Sequence, residues 1–270
     1  MKRWMYTSLM IAFSVLFLVS AAALVNYMWQ SRQSQNTYND LADLVQQHKP
    51  APSPTDSSDP TQMESAYVEV TDPDTGETFL ALREYARLYE LNSDFVGWLY
   101  FTDTKINYPV MHKPERTDYY LRRNFYGKYD THGCLYLQES CNALTPTDNV
   151  TIYGHHMQDG TMLTDLMKYK KKSFWETHKT FTFDTLTEHH TYEILAVFLT
   201  TASNSQSFRY HLFVNAETSA EFDEYVATCK KLSLYDTGIT ATYGDKLVTL
   251  STCEYSQTNG RLVVVAKQIS

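Results

Sequence analysis

The sequence predicts a mainly β domain of antiparallel barrel or sandwich type, placed behind an apolar N-terminal segment. Nine short segments with strand-like patterns fill the chain from residue 96 onward, and turn signals separate them. Many short strands at this spacing indicate a barrel or a sandwich. A content of 43% hydrophobic and 14% aromatic residues is ample for a packed core.

The N-terminal segment has the length and composition of a membrane-spanning helix. Residues 5–28 are almost wholly apolar and carry no charge, and a helix needs about 20 such residues to cross a bilayer. Lys2 and Arg3 precede this segment and only Arg32 closely follows it, a bias that places the N-terminus inside and the rest outside. The alternative is a cleaved signal peptide, because the three alanines at residues 21–23 resemble a cleavage site. However, the apolar stretch is longer than the apolar core of a signal peptide, which usually has about 7–15 residues. We predict a retained anchor over residues 1–30, in a single-pass protein of the cell membrane with an extracellular domain.

Residues 31–76 are predicted to connect this anchor to the folded domain, residues 77–270. Residues 36–48 place apolar side chains at helical spacing, which predicts a short amphipathic helix near the membrane. Residues 49–76 hold five of the eight prolines among Ser, Thr and Asp, a composition that cannot bury a core. We therefore predict a linker that holds the domain off the bilayer.

The folded domain begins with a predicted helix over residues 79–91, ended by Asn92 and Ser93. Two further helices are predicted over residues 161–169 and 219–232. The strand predictions cover residues 96–101, 106–111, 133–138, 150–153, 180–184, 192–200, 209–214, 246–253 and 262–269.

The net charge of −8 argues against a nucleic-acid partner, and no basic cluster suggests one. The densest basic run, residues 170–172, is interpreted as a solvated helix end. Cys134 and Cys141 could close a disulfide outside the cell, or they are two buried free thiols, the reading we prefer. Without a CxxC or HExxH pattern, we predict neither a metal site nor a cofactor.

A thiol and a fixed positive charge are predicted at facing ends of two late strands. Residues 246–253 alternate, with Thr249, Ser251 and Cys253 on the polar face, where a substrate could reach the thiol. Residues 259–260 are Asn-Gly, a turn signal, and Arg261 opens the next apolar strand. If the two strands pair as a hairpin, Cys253 and Arg261 lie together at one loop mouth. Glu254, beside the cysteine, could orient Arg261, or it is an exposed turn carboxylate.

A nucleophilic cysteine also needs a base, because an ordinary thiol with a pKa of about 8.5 is mostly protonated at neutral pH. The best candidate lies after the short strand 149–153, where Gly154 is followed by His155 and His156. Side chains at strand ends commonly carry function. His156 is the natural rival of His155, and a backbone-bonded histidine is the alternative role for either.

These motifs resemble those of the sortases, cysteine transpeptidases of Gram-positive bacteria, and most closely those of class B. The matching pieces are TLSTC at residues 249–253, Arg261, and YGHHM at residues 153–157, and the resemblance covers roughly residues 79–270. The resemblance implies a closed eight-stranded sortase-type β-barrel with an N-terminal helical extension and a long helix between two late strands. The family pattern of glycine then histidine selects His155.

The resemblance also implies a reaction. Cys253 attacks the threonine carbonyl of a C-terminal sorting signal, His155 moves the protons, and Arg261 stabilises the oxyanion. Thr249, Ser251 and Glu254 are predicted to bind substrate. The implied partners are surface proteins bearing an NPxTN-like or related signal, and a peptidoglycan precursor or cross-bridge amine that accepts the acyl group.

Three other functions remain open on the sequence. A pilin-polymerising sortase would use a lysine side chain as its nucleophilic acceptor. A membrane-anchored cysteine peptidase would release its product to water. The third is a non-catalytic adhesion ectodomain, which is disfavoured because it would give Cys253, His155 and Arg261 no common function.

Overall fold

The computed structural model describes residues 2–50, 66–73, 75–202 and 207–270, and its centre is a closed β-barrel. Its strands are β3 (Phe95–Tyr100), β4 (Asn107–Met111), β5 (Leu135–Leu137), β6 (Asn149–Tyr153), β7 (Thr180–Thr185), β8 (Thr191–Thr201), β9 (Leu247–Glu254) and β10 (Gly260–Gln268). Around the barrel they follow the order β10-β8-β7-β3-β4-β5-β6-β9. The predicted closed eight-stranded barrel is therefore confirmed.

The apolar interior explains why the barrel closes. In β10 the continuous run from Leu262 to Ala266 is completely buried, because Leu262, Val264 and Ala266 belong to the main core while Val263 and Val265 belong to a second apolar cluster on the other face. A strand buried on both faces needs such a run and cannot alternate.

Two pairs of barrel strands are parallel, β4 with β5 and β6 with β9. The second pair matters for function, since its register sets Tyr153 opposite Ser251. Parallel neighbours end on the same edge of a sheet. The segments that follow β6 and complete β9 therefore meet at one mouth of the barrel.

The longest helix of the barrel domain, α4 (Ser219–Leu232), lies between β8 and β9, as predicted. Thr218 caps it by accepting a hydrogen bond from the Glu221 N–H. Its buried stripe, Phe222, Tyr225, Val226 and Cys229, covers the outside of the barrel next to β8 and β9. The other helices are α2 (Arg83–Leu91), α3 (Lys172–Thr177) and short 3-10 helices at Tyr119–Arg122, Leu163–Lys170 and Tyr210–Leu212.

The N-terminal region differs from the prediction, because anchor and juxtamembrane helix form one 47-residue helix, α1 (Lys2–His48). No glycine or proline interrupts residues 29–35, so nothing breaks the helix there. Its first half is long and apolar enough to cross a membrane, and its most apolar window is not buried within the protein. Its second half packs on the barrel through a buried stripe: Ser31, Ser34, Tyr38, Leu41 and Val45.

The C-terminal part of the predicted linker contains regular structure. The strands β1 (Tyr67–Thr71) and β2 (Thr78–Leu82) form a hairpin at its C-terminal end, and residues 51–65 and 74 lie outside the described residues. The helix predicted from residue 79 begins only at Arg83, because β2 pairs with β1 and the Leu82 N–H donates to the Leu186 carbonyl.

Two other elements also differ from the prediction. The strand predicted over residues 209–214 is wrong, since the segment contains the 3-10 helix Tyr210–Leu212. Its Phe213 and Val214 carbonyls accept hydrogen bonds from Asn149, so tertiary contacts override the strand-like sequence. The helix predicted over residues 161–169 is the 3-10 helix Leu163–Lys170.

Candidate active site

Cys253 and Arg261 are direct partners in the ladder between β9 and β10. Side chains at opposed positions of an antiparallel pair leave the same face, with Cβ atoms about 4.5–5.5 Å apart. The thiol is partly exposed at the strand end, and the guanidinium is half-buried beside it. The predicted hairpin is therefore present, and it holds a thiol next to a cation.

Among the residues that the structure describes, the Arg261 guanidinium uses few of its donors. Its Nη1 donates to the Gly260 carbonyl at 2.9 Å, and no carboxylate within the described residues pairs with it. A guanidinium offers five N–H donors in one plane. The unused donors can therefore stabilise a developing oxyanion near the thiol.

His155 follows the end of β6, and its loop stays attached to β9. The Gly154 N–H donates to the Ser251 carbonyl at 3.2 Å. Extending the parallel register by two residues on each strand brings His155 level with Cys253. No hydrogen bond joins the ring to the thiol in the part of the chain that the structure describes. Catalytic hydrogen bonds are often long without substrate.

The His155 ring is held by the main chain of a neighbouring loop. Its Nε2 lies 2.7 Å from the Leu121 carbonyl. Burial lowers the pKa of His155, and the charges of Arg122 and Arg261 lower it further. The ring is therefore neutral at neutral pH. Since a carbonyl only accepts, Nε2 carries the proton and Nδ1 holds the lone pair that a base needs.

Gly154 allows this placement. A Cβ at this position would lie 2.3 Å from Leu135 Cδ2 and 2.7 Å from Leu163 Cγ. Both leucines are fully buried in the core, so they cannot move aside cheaply. The glycine of the YGHHM motif is therefore required by packing.

His156 has different contacts. Its Nδ1 lies 3.1 Å from the Cys253 carbonyl, and its ring centroid lies 5.0 Å from that of Tyr255. The Tyr255 hydroxyl in turn donates to the His156 carbonyl. His156 thus ties the loop after β6 to the loop after β9.

Thr249 and Ser251 are not at the surface, contrary to the expectation of an open polar face. Thr249 is fully buried, its hydroxyl donating to Asn149 at 2.8 Å and lying 3.1 Å from the Tyr225 hydroxyl. Ser251 lies 2.6 Å from the Tyr210 hydroxyl. Polar groups removed from water need such partners. The two side chains hold α4 and the Tyr210 turn on the barrel and have no surface for substrate.

Glu254 does not orient Arg261, and it is not exposed. It is buried with its Oε1 2.9 Å from Lys170 Nζ, and its Oε2 accepts from Ser256. Hydrogen bonding to Ser256 and to Lys170 lowers the pKa of Glu254. Lys170 is itself exposed, as are Lys171 and Lys172, so the interpretation of residues 170–172 as a solvated helix end agrees with the structure, and Lys170 in addition pairs with Glu254.

Two tyrosines near the site could not be predicted from the sequence, because nothing distinguishes them from the many other tyrosines of the chain. The Tyr136 hydroxyl donates to Asp118 at 2.6 Å, and its ring lies 5.5 Å from that of Tyr153. Burial and Asp118 raise the pKa of Tyr136, and the nearby charge of Arg261 opposes them. These two tyrosines are ladder partners on β5 and β6, and Tyr136 is close enough to Arg261 for the charge to act on it.

The four cysteines all lie in the described residues and are free thiols. Cys134, Cys141 and Cys229 are buried, and only Cys253 is partly exposed. The preferred reading of Cys134 and Cys141 as separate buried thiols matches this structure.

This geometry agrees with a family comparison, in which the sortase domain model matches residues 99–269. The chain belongs to the sortase family. It is 32% identical to the sortase B of Listeria monocytogenes over 189 residues, which cover 69% of this chain and 74% of the relative. It is 30% identical to the sortase B of Staphylococcus aureus over 188 residues, with 69% and 75% covered.

A solved structure gives the same result for the fold of this sortase. A Staphylococcus aureus sortase B–substrate complex superimposes with a TM-score of 0.73 at 25% identity, covering 90% of this chain and 99% of that one. The family and its class B relatives make the chain a cell-wall cysteine transpeptidase, as the motifs predicted.

Proposed function

We propose that this sortase is anchored in the cell membrane by α1, cleaves a C-terminal sorting signal after threonine, and transfers the acyl group to a cell-wall peptide amine. The pairing of Cys253 with Arg261 beside the segment that carries His155 is the observation that supports it. The apolar half of α1 supports a single membrane span, and Lys2 and Arg3 before it support a barrel on the outside.

In the first half-reaction the Cys253 sulfur attacks the threonine carbonyl carbon as its proton passes to Nδ1 of His155. Arg261 donates to the oxyanion of the tetrahedral intermediate. When the intermediate collapses, the C–N bond breaks and His155 returns the proton to the leaving amine. A thioester to Cys253 remains.

In the second half-reaction an amine, and not water, attacks the thioester. The amine nitrogen attacks the thioester carbonyl, His155 accepts its proton, and the Cys253 thiolate leaves. The new amide bond joins the surface protein to the wall. An NPxTN-like signal and a peptidoglycan precursor or cross-bridge amine are the proposed substrates.

Product analysis tests this function. The full chain is incubated with a quenched fluorescent NPxTN-type peptide, with and without an oligoglycine or a diaminopimelate-containing wall peptide. A ligated product that forms only with the wall amine is expected. Exclusive release of the hydrolysed peptide would favour the membrane-anchored peptidase, and ligation only to an added protein that offers a lysine side chain would favour the pilin-polymerising sortase.

A further inference from the structure

The barrel contacts α1 at the level where its apolar segment ends. Trp29 directly follows the apolar run and is 62% exposed. Two residues later Ser31 is already buried against the barrel and donates to Asp159. The described part of the chain thus has no spacer along α1 between apolar segment and barrel, and some surface of the barrel domain must face the bilayer.

A short hairpin occupies that position. We call residues 122–130 the Tyr126 hairpin; its Lys128, Tyr129 and Asp130 share a surface cleft with Trp29 and Gln33 of α1. The hairpin is therefore level with the end of the apolar segment.

The backbone of the Tyr126 hairpin is well fixed. Arg123 and Tyr129 form an antiparallel bridge across it. At its tip the Asn124 side chain accepts from the Tyr126 and Lys128 N–H groups, and Gly127 takes the left-handed conformation that a tight turn needs. The tip therefore presents its side chains to solvent without further ordering.

Those side chains suit a membrane interface. Tyr126 is 47% exposed and Tyr129 is 70% exposed, and tyrosine is enriched at the headgroup level of membranes. Lys128 is exposed and has no acidic partner within the described residues. On a chain of net charge −8, an unpaired cation between two tyrosines favours an anionic lipid surface.

We propose that the Tyr126 hairpin is a second membrane contact, which inserts its two tyrosines among the headgroups and places Lys128 on anionic phospholipid. The inference rests on the membrane anchoring in the proposed function. The contact holds the mouth of the barrel toward the bilayer, because Leu121, whose carbonyl accepts from His155, directly precedes the hairpin.

Fluorescence quenching tests the contact in the full chain, reconstituted in nanodiscs that contain anionic phosphatidylglycerol and brominated lipid. Tyr129→Trp adds a probe at the hairpin to the four native tryptophans. Tyr243→Trp is the matched control, since Tyr243 is also half-exposed but precedes β9, at the end of the barrel opposite Cys253. Stronger quenching and bluer emission of the Tyr129→Trp chain are expected. Equal quenching of the two chains would overturn the proposal and leave this face for a protein partner.

A second measurement separates this inference from the proposed function. The triple variant Tyr126→Ser, Lys128→Glu, Tyr129→Ser should cleave a soluble signal peptide like wild type. It should lose roughly ten-fold in cleavage of a signal peptide anchored in the same anionic nanodisc. Equal losses on both substrates, or none on the anchored one, would contradict the membrane role. Failure of the wild-type chain to cleave the soluble peptide would count against the proposed function alone.

Discussion

The Ser31 hydroxyl of α1 donates a 2.6 Å hydrogen bond to Asp159, four residues beyond His155. Asp159 also lies 2.6 Å from Nε2 of His132, which is almost completely buried and contacts Asp130 through Nδ1. This polar cluster, Ser31, Asp130, His132 and Asp159, joins α1 to the loop that carries His155.

The polar cluster predicts a pH dependence of stability. Burial disfavours the charged His132 ring, but Asp130 and Asp159 outweigh it and raise the pKa of His132. Burial likewise opposes the charge of Asp159, yet hydrogen bonds from Ser31, Thr161 and His132 lower its pKa to about 2. The stabilisation is therefore complete between about pH 4 and 6.5, the ordinary values for Asp and His in an unfolded chain. It decreases as pH rises through the pKa of His132, and again as pH falls toward 2.

Urea denaturation in detergent micelles at pH 5.5 and pH 8.5 measures this effect. Asp159→Asn should lower the free energy of unfolding by about 2–3 kcal/mol at pH 5.5, and less at pH 8.5. Asp223→Asn, an exposed change on α4, is the control and should change little at either pH. An equal loss from Asp159→Asn at both values would show that the ion pair with His132 does not contribute.

The cysteines predict selective alkylation. Burial raises the pKa of Cys134 and Cys229 to about 12 and that of Cys141 to about 11, so these thiols stay protonated and shielded at neutral pH. Iodoacetamide at pH 7 should label Cys253 alone, as read by peptide mass spectrometry, and should abolish turnover. Cys253→Ala should be inactive with an unchanged melting temperature. Turnover by this variant would rule out Cys253 as the nucleophile.

The two adjacent histidines should differ in their effect on catalysis. His155→Ala should reduce kcat/KM by about 10²–10⁴-fold, the usual contribution of a general acid–base group. His156→Ala removes the contact with the Cys253 carbonyl and should cost much less. Both variants are compared by initial rates on the same signal peptide. A dead His156 variant beside an active His155 variant would reverse the assignment.

Arg261→Lys should act as a severe change although the charge is kept. Lysine lacks the planar set of donors, and loss of an oxyanion donor typically costs about 10²–10³-fold in rate. Lys267→Arg, farther along β10, makes the reverse exchange as a control and should be nearly silent. Activity of the Arg261→Lys enzyme within a few-fold of wild type would mean that Arg261 supplies only positive charge.

The sequence predicts the barrel well, because strand alternation and turn residues are local signals. Residues 246–268 contain everything that pairs Cys253 with Arg261: an alternating strand, an Asn-Gly turn and a second apolar strand. The family resemblance then supplied the closure of the barrel and the choice of His155.

The missed features depend on distant residues. Thr249 and Ser251 looked accessible, since their partners Tyr225 and Tyr210 come from other segments. The pairing of Glu254 with Lys170 likewise cannot be predicted from local sequence, because the two residues are far apart in the chain. The sequence predicts two separate segments where α1 is continuous, because its two halves differ in composition although the helix is unbroken.

The uninterrupted α1 limits which bonds the enzyme can reach. A flexible tether would let the barrel take many distances from the membrane surface, whereas a helix packed on the barrel fixes a single distance. Ser31 lies only about 5 Å along the axis beyond Met28, and Asp159 joins it to the loop of His155. On the proposed anchoring, the scissile threonine must therefore lie close to the point where the surface protein's own apolar tail leaves the bilayer. The number of residues between the sorting motif and the apolar tail would then help to determine which surface proteins are substrates, independently of the sequence of the motif.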